Sequence, residues 1–153
     1  MQLFLDLDGV FVDFDRHYEK HIGPVPDRDD PNQDVSWAEV SKIPFFEEAP
    51  PMHDAHELFD YVKRHNPIFL TGVPKIGTEK AAASKRDWVA RHLGHGFEVR
   101  PCRSRDKSLH CSPGDVIVDD WKKYQPLWLK KGGIWVLHKS AAKSIAELKE
   151  LGL

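Results

Sequence analysis

Leu3-Phe4-Leu5-Asp6-Leu7-Asp8-Gly9-Val10-Phe11-Val12-Asp13-Phe14 is the stretch that decides the fold. Residues 2–7 form a short, nearly continuous apolar run, as a strand covered on both faces requires. The run closes on Asp6 and Asp8, which point to the same side of an extended backbone. Gly9 lets the chain turn directly afterwards. Buried carboxylates are costly unless paired or bound to a cation. Two of them at the end of an apolar strand mark either a site or a strand end that frays into solvent.

Working outward, the same kind of run recurs at Pro67–Leu70, Asp115–Val118 and Ile134–Leu137, with a weaker one at Phe97–Val99. Helical spacing separates them. Ala55, Leu58, Phe59 and Val62 make one apolar stripe; Ala82, Val89 and Leu93 share a face within 78–93. Ala141, Ile145, Leu148 and Leu151 form a third stripe, with Ser140 as its N-cap. Strands alternating with helices predict an α/β, Rossmann-like three-layer sandwich with a mostly parallel central sheet. Residues 16–52 break the rhythm. A Pro/Asp/Gly-rich loop at 23–34 leads into Ser36-Trp37-Ala38-Glu39, where Ser36 and Glu39 fit a capping box. This segment is read as a small helical cap inserted after the first strand, too small to be a second domain.

The chain has 153 residues, 41% of them apolar and 30% charged, which suits one domain with one core. Lys and Arg number 22 against 24 Asp and Glu, so the basic excess of a general nucleic-acid-binding protein is missing. Cys102 and Cys111 fit neither a metal finger nor a disulfide framework, which suggests a reducing, cytoplasmic setting. The first residues lack the basic segment of a signal peptide, and no apolar run reaches membrane-spanning length.

Three more segments fall just after predicted strands. Thr71-Gly72 offers a hydroxyl and a flexible amide, Arg105-Asp106-Lys107 offers cations, and Asp119-Asp120 adds two carboxylates. Each alone reads equally as a turn, a solvated face or a helix cap. Together they predict convergence beyond the carboxyl ends of the strands, where open parallel sheets bind ligands. Carboxylates meeting at one point repel unless a cation joins them, and hard oxygen ligands suit Mg²⁺. A hydroxyl, free amides and a lysine supply donors for a phosphate group.

In this order, Asp-x-Asp-Gly-Val, Thr-Gly, Lys and Asp-Asp resemble the haloacid dehalogenase superfamily of phosphotransferases, most nearly its 5′(3′)-deoxyribonucleotidase branch. The similar stretches are DLDGVFVDF, IPFFEEAPPMHDAHELFDYV, FLTGVP, KRDWVARHLG, SRDKSLH and VIVDD, within residues 1–130. Two features depart from the pattern: the insertion is small, and Gly72-Val73-Pro74 follows Thr71 where a second hydroxyl is expected. The resemblance implies a phosphatase acting on a small phosphate ester, a nucleoside monophosphate, through an aspartyl-phosphate. It implies that Asp6 is the nucleophile and Asp8 the general acid and base. Mg²⁺ is then held by Asp6, Asp119 and the Asp8 carbonyl, with Asp120 supporting its water shell. Thr71, Gly72 and Lys107 bind the phosphoryl oxygens, while Phe14 and Arg105 contact substrate. Small-cap members of the superfamily often associate, so a homo-oligomer is an expectation too.

Trp37, Phe45 and Phe46 can wall a base-stacking surface or simply pack the insertion. His53 and His56 read as surface histidines and Asp27–Asp30 as a solvated loop. Trp121, Trp128 and Trp135 read as anchors. A receiver domain uses similar residues but places its acidic pair first, the reverse of the order here. A non-catalytic module on the same fold, and a phosphatase for sugar phosphates or nucleic-acid 3′-phosphates, remain the other readings.

Overall fold

The computed structural model describes residues 1–153. Strands β1 (Leu3–Leu5), β2 (Ile68–Gly72), β3 (Val99–Cys102), β4 (Val116–Asp119) and β5 (Ile134–Leu137) form one sheet in the order β3-β2-β1-β4-β5. Every pairing is parallel. The helices are α1 (Phe14–His21), α2 (Trp37–Val40), α3 (Phe45–Glu48), α4 (Ala55–Val62), α5 (Thr78–His92), α6 (Gln125–Lys130) and α7 (Ala141–Glu150). None is long and apolar enough to cross a membrane.

Alternation along the strands builds the layers. Leu3, Leu5, Phe69, Val116 and Val118 share a core with Leu58 and Val62 of α4, Trp88 and Val89 of α5, and Leu148 of α7. Phe4, Leu70, Ile117 and Trp135 pack on the opposite face with Trp128 of α6. The result is a Rossmann-like three-layer sandwich. Between β1 and α4 a third, smaller core gathers Phe14, Tyr18, Val40, Phe45 and Phe46 and extends to Val73 and Ala81.

Three local expectations need correction. β3 begins at Val99 rather than Phe97, because Phe97 turns inward against Phe59 and Phe69. The strand includes Pro101, tolerated because β3 lies at the sheet edge. The buried face of α5 runs through Ala81, Ser84, Lys85, Trp88 and Val89, with Ala82 only partly covered, since α5 packs on α3 as well as on the sheet. Ser36 makes no side-chain cap; its backbone N–H donates instead to the Tyr18 hydroxyl at 3.0 Å. Ser140 does cap α7, accepting from the Lys143 amide.

At the end of β5, His138 is buried with Nδ1 2.8 Å from Ser144 Oγ. Burial holds its pKa below the ordinary 6.5, and the nearby Asp54 only partly opposes this. The folded chain therefore keeps this imidazole neutral, while the unfolded chain protonates it at about pH 6.5. The contribution is complete above that pH and is lost as the pH falls toward the lower folded value. Between about pH 7.5 and about pH 5 the melting temperature of the wild type should fall further than that of His138→Gln. Equal losses in thermal melts would refute this.

Candidate active site

β1 stands at the centre of the sheet, and the direction of strand addition reverses between β1 and β4. Such a reversal opens a crevice beyond the carboxyl ends of the strands. Leu5 lies opposite Val118, and the Asp6 amide donates to the Val118 carbonyl at 2.9 Å. That register sets Asp6 beside Asp119, the last residue of β4. The chain then turns at Gly9, whose φ of 79° suits glycine. A Cβ there would lie 1.9 Å from Asp120 Oδ2, so this turn leaves room for the neighbouring carboxylate only without a side chain.

Asp6, Asp119 and Asp120 each offer a carboxylate oxygen, and these oxygens lie within 4.8 Å of one another. Lys107, on a 3₁₀ segment spanning Ser104–His110, places Nζ 2.9 Å from Asp6 Oδ1 and 2.7 Å from Asp119 Oδ2. Burial alone would lower the pKa of this ammonium, but Asp6 and Asp119 override it and hold the pKa above its usual value. An ammonium has three donors; two are taken here and the third is left for another acceptor. Asp119 is pushed above the carboxylate range by burial, with Asp6 adding to the effect against Lys107. Asp120 is pushed to about 7, by burial first and then by Asp6, even though Arg28 opposes it. Two cations, Lys107 and Arg28, thus face three acids, two of them buried and Asp120 half-buried. This all-oxygen donor set suits a hard divalent cation.

Asp8 faces a different partner. β1 ends at Leu5, so strict strand alternation no longer governs Asp8, and its Oδ2 accepts from Lys85 Nζ at 2.7 Å. The same ammonium donates to Thr71 Oγ1 at 3.0 Å and to the Gly72 carbonyl at 2.7 Å. Asp8 Oδ1 has no partner.

A cleft of about 800 Å³ opens over these groups. Asp6, Asp8, Gly72, Lys107, Asp119 and Asp120 line it, as do Phe14, Trp37 and Arg105. Arg105 is 73% exposed and lies 3.7 Å from Asp106, so it stands at the rim. Two expected residues sit elsewhere. Thr71 is fully buried behind the cleft wall with its hydroxyl turned to Lys85. Phe45 is 1% exposed and packs against Phe14, His17 and Phe46 inside the insertion. Its immobilisation there follows from the need of so small an insertion for a core of its own. Phe46 likewise lies in that core, with its ring over Lys85.

Sequence reasoning missed Lys85 and Arg28. Lys85 carried a signal: with Ala81 and Trp88 it falls at i, i+4, i+7, a lysine on a buried stripe. Arg28 carried none. It lies in the loop read as merely solvated, yet it donates to Asp120 at 3.1 Å and Asp15 at 2.7 Å and lies 5.8 Å from the Phe14 ring centre. His53 and His56 are exposed, as read. Trp128 is an anchor, whereas Trp121 and Trp135 also line the cleft.

No protein-family profile matches the chain, and no curated protein sequence does. Among solved structures it is similar to a hydrolase from Streptococcus pneumoniae TIGR4, with 12% identity, 97% of each chain covered and a TM-score of 0.52. That likeness is one of fold: the same α/β architecture, shared across nearly the whole of both chains.

Proposed function

We propose that this chain is a Mg²⁺-dependent phosphomonoester hydrolase working through an aspartyl-phosphate, with a nucleoside monophosphate as substrate. Lys107 carries the proposal: it bridges Asp6 and Asp119 at 2.9 and 2.7 Å, with Asp120 alongside, at the sheet's topological reversal. The similar fold of a hydrolase is consistent with it.

The donor set fits the cation. The carboxylates of Asp6, Asp119 and Asp120, with the Asp8 carbonyl, would hold Mg²⁺, which when bound neutralises phosphoryl charge. The remaining work falls to the chain. Asp6 attacks phosphorus in line, forming a P–O bond as the ester P–O bond breaks. Asp8 gives its proton to the departing alkoxide. It then takes a proton from the water that attacks the phosphorylated Asp6, which returns the Asp6 carboxylate and frees phosphate. The third donor of Lys107 and the Gly72 amide stabilise the phosphoryl oxygens as charge shifts. Thr71 supports this loop through Lys85. Phe14 and Trp37 give a base an aromatic wall, with Arg105 at the rim.

The test is phosphate release from nucleoside 5′- and 3′-monophosphates, ribo and deoxy, and from sugar phosphates, with Mg²⁺ or with EDTA. Release from nucleotides that EDTA abolishes is the expected result. Preference for sugar phosphates would overturn the substrate, and full activity in EDTA would overturn the metal.

A further inference from the structure

Lys85 is 2% exposed and lies 77 residues from Asp8 in sequence, yet all three of its donors are committed within the site. They go to Asp8 Oδ2 at 2.7 Å, Thr71 Oγ1 at 3.0 Å and the Gly72 carbonyl at 2.7 Å. The Phe46 ring covers the ammonium, its centroid 4.6 Å from Nζ. No N–H is left to bind substrate, which distinguishes Lys85 from Lys107. A buried ion pair adds little stability over apolar packing of similar volume, so folding alone does not account for a lysine here. What the ion pair does supply is direction: one oxygen of Asp8 is pinned by Lys85, and the other is buried with no hydrogen-bond partner, so the carboxylate is held in one orientation.

We infer that Lys85 is a positioning residue: it fixes the Asp8 carboxylate on the cleft wall in the one orientation from which it serves the leaving group and, later, the attacking water. This rests on the function proposed above. Lys85 also ties that geometry to the insertion. Ser84 Oγ donates to Glu47 Oε1 at 2.6 Å, and Arg91 donates to the Glu47 carbonyl at 2.8 Å. α3 is thereby clamped to α5, with Phe46 held over the ammonium.

A residue that acts through a proton donor matters most where the leaving group needs a proton. In Lys85→Met, turnover of an alkyl phosphate should fall about 100-fold. The single-turnover release of 4-nitrophenol from 4-nitrophenyl phosphate, which departs unprotonated, should fall less than about fivefold. In an Asp8→Asn background the same substitution should cost alkyl-phosphate turnover less than about twofold more. Equal loss on both substrates, or full additivity with Asp8→Asn, would show that Lys85 only supports the fold. Should Lys85→Met not fold, Lys85→Arg decides: its alkyl-to-aryl ratio should stay within about threefold of wild type, and a larger departure overturns the role. A wild type inactive on both esters would overturn the site's function and this role with it. An active wild type whose alkyl-to-aryl ratio is unchanged in a folded Lys85→Met would overturn this role alone.

Discussion

Asp6→Asn is expected to lower turnover of every phosphate ester by at least about 10⁴-fold while leaving the chain folded. The amide is a poor nucleophile and cannot form the covalent intermediate, so loss on this scale follows even with the other groups in place. Folding should survive for an electrostatic reason. Asp6 helps to raise both Asp119 and Asp120 above the carboxylate range. Removing its charge relieves that repulsion, and Lys107 keeps Asp119 as a partner at 2.7 Å. In EDTA the variant should therefore melt no lower than the wild type. Phosphate release, thermal melts and hydroxylamine-labile labelling of the protein by substrate check the three parts. Labelling of the variant, or turnover near wild type, would remove Asp6 from its role.

How far the fold was legible follows from which interactions are local. β1, β2, β4 and β5 announce themselves as apolar runs because both their faces are covered. β3 hides behind Arg100 and Pro101, which an edge strand tolerates and a central one would not. In the site, Asp6, Lys107, Asp119 and Asp120 were readable because carboxylates and a lysine directly after strands are conspicuous. Thr71 and Phe45 were placed in the right loop and the right insertion, but their side-chain directions depend on packing across the chain. Thr71 turns to a lysine 14 residues away, and Phe45 is drawn into the core that the insertion needs. Arg28 was invisible because its partner Asp120 lies 92 residues off, joined by loop geometry that no periodicity encodes.

Lys107→Met should lower catalysis yet enlarge the stabilisation conferred by Mg²⁺, two effects that a simple loss of structure would not combine. Catalysis should drop about 10²–10³-fold, the usual cost of losing a donor aimed at developing oxyanion charge. In EDTA, stability should fall by about 3–5 kcal/mol, since a buried pair deprived of one partner leaves its charges uncompensated. Here the loss leaves Asp6 and Asp119, 10% and 4% exposed at their side chains, facing each other with no ammonium between them. The deficit is one of positive charge, and a divalent cation supplies it. Mg²⁺ should therefore raise the melting temperature of Lys107→Met by more than it raises that of the wild type, because binding to the folded state alone stabilises in proportion to the logarithm of affinity. Melts of both proteins across a Mg²⁺ series decide the matter. If the ion shifts the variant no further than the wild type, Asp6 and Asp119 do not share a cation site with Asp120, and the three acids must be balanced in some other way.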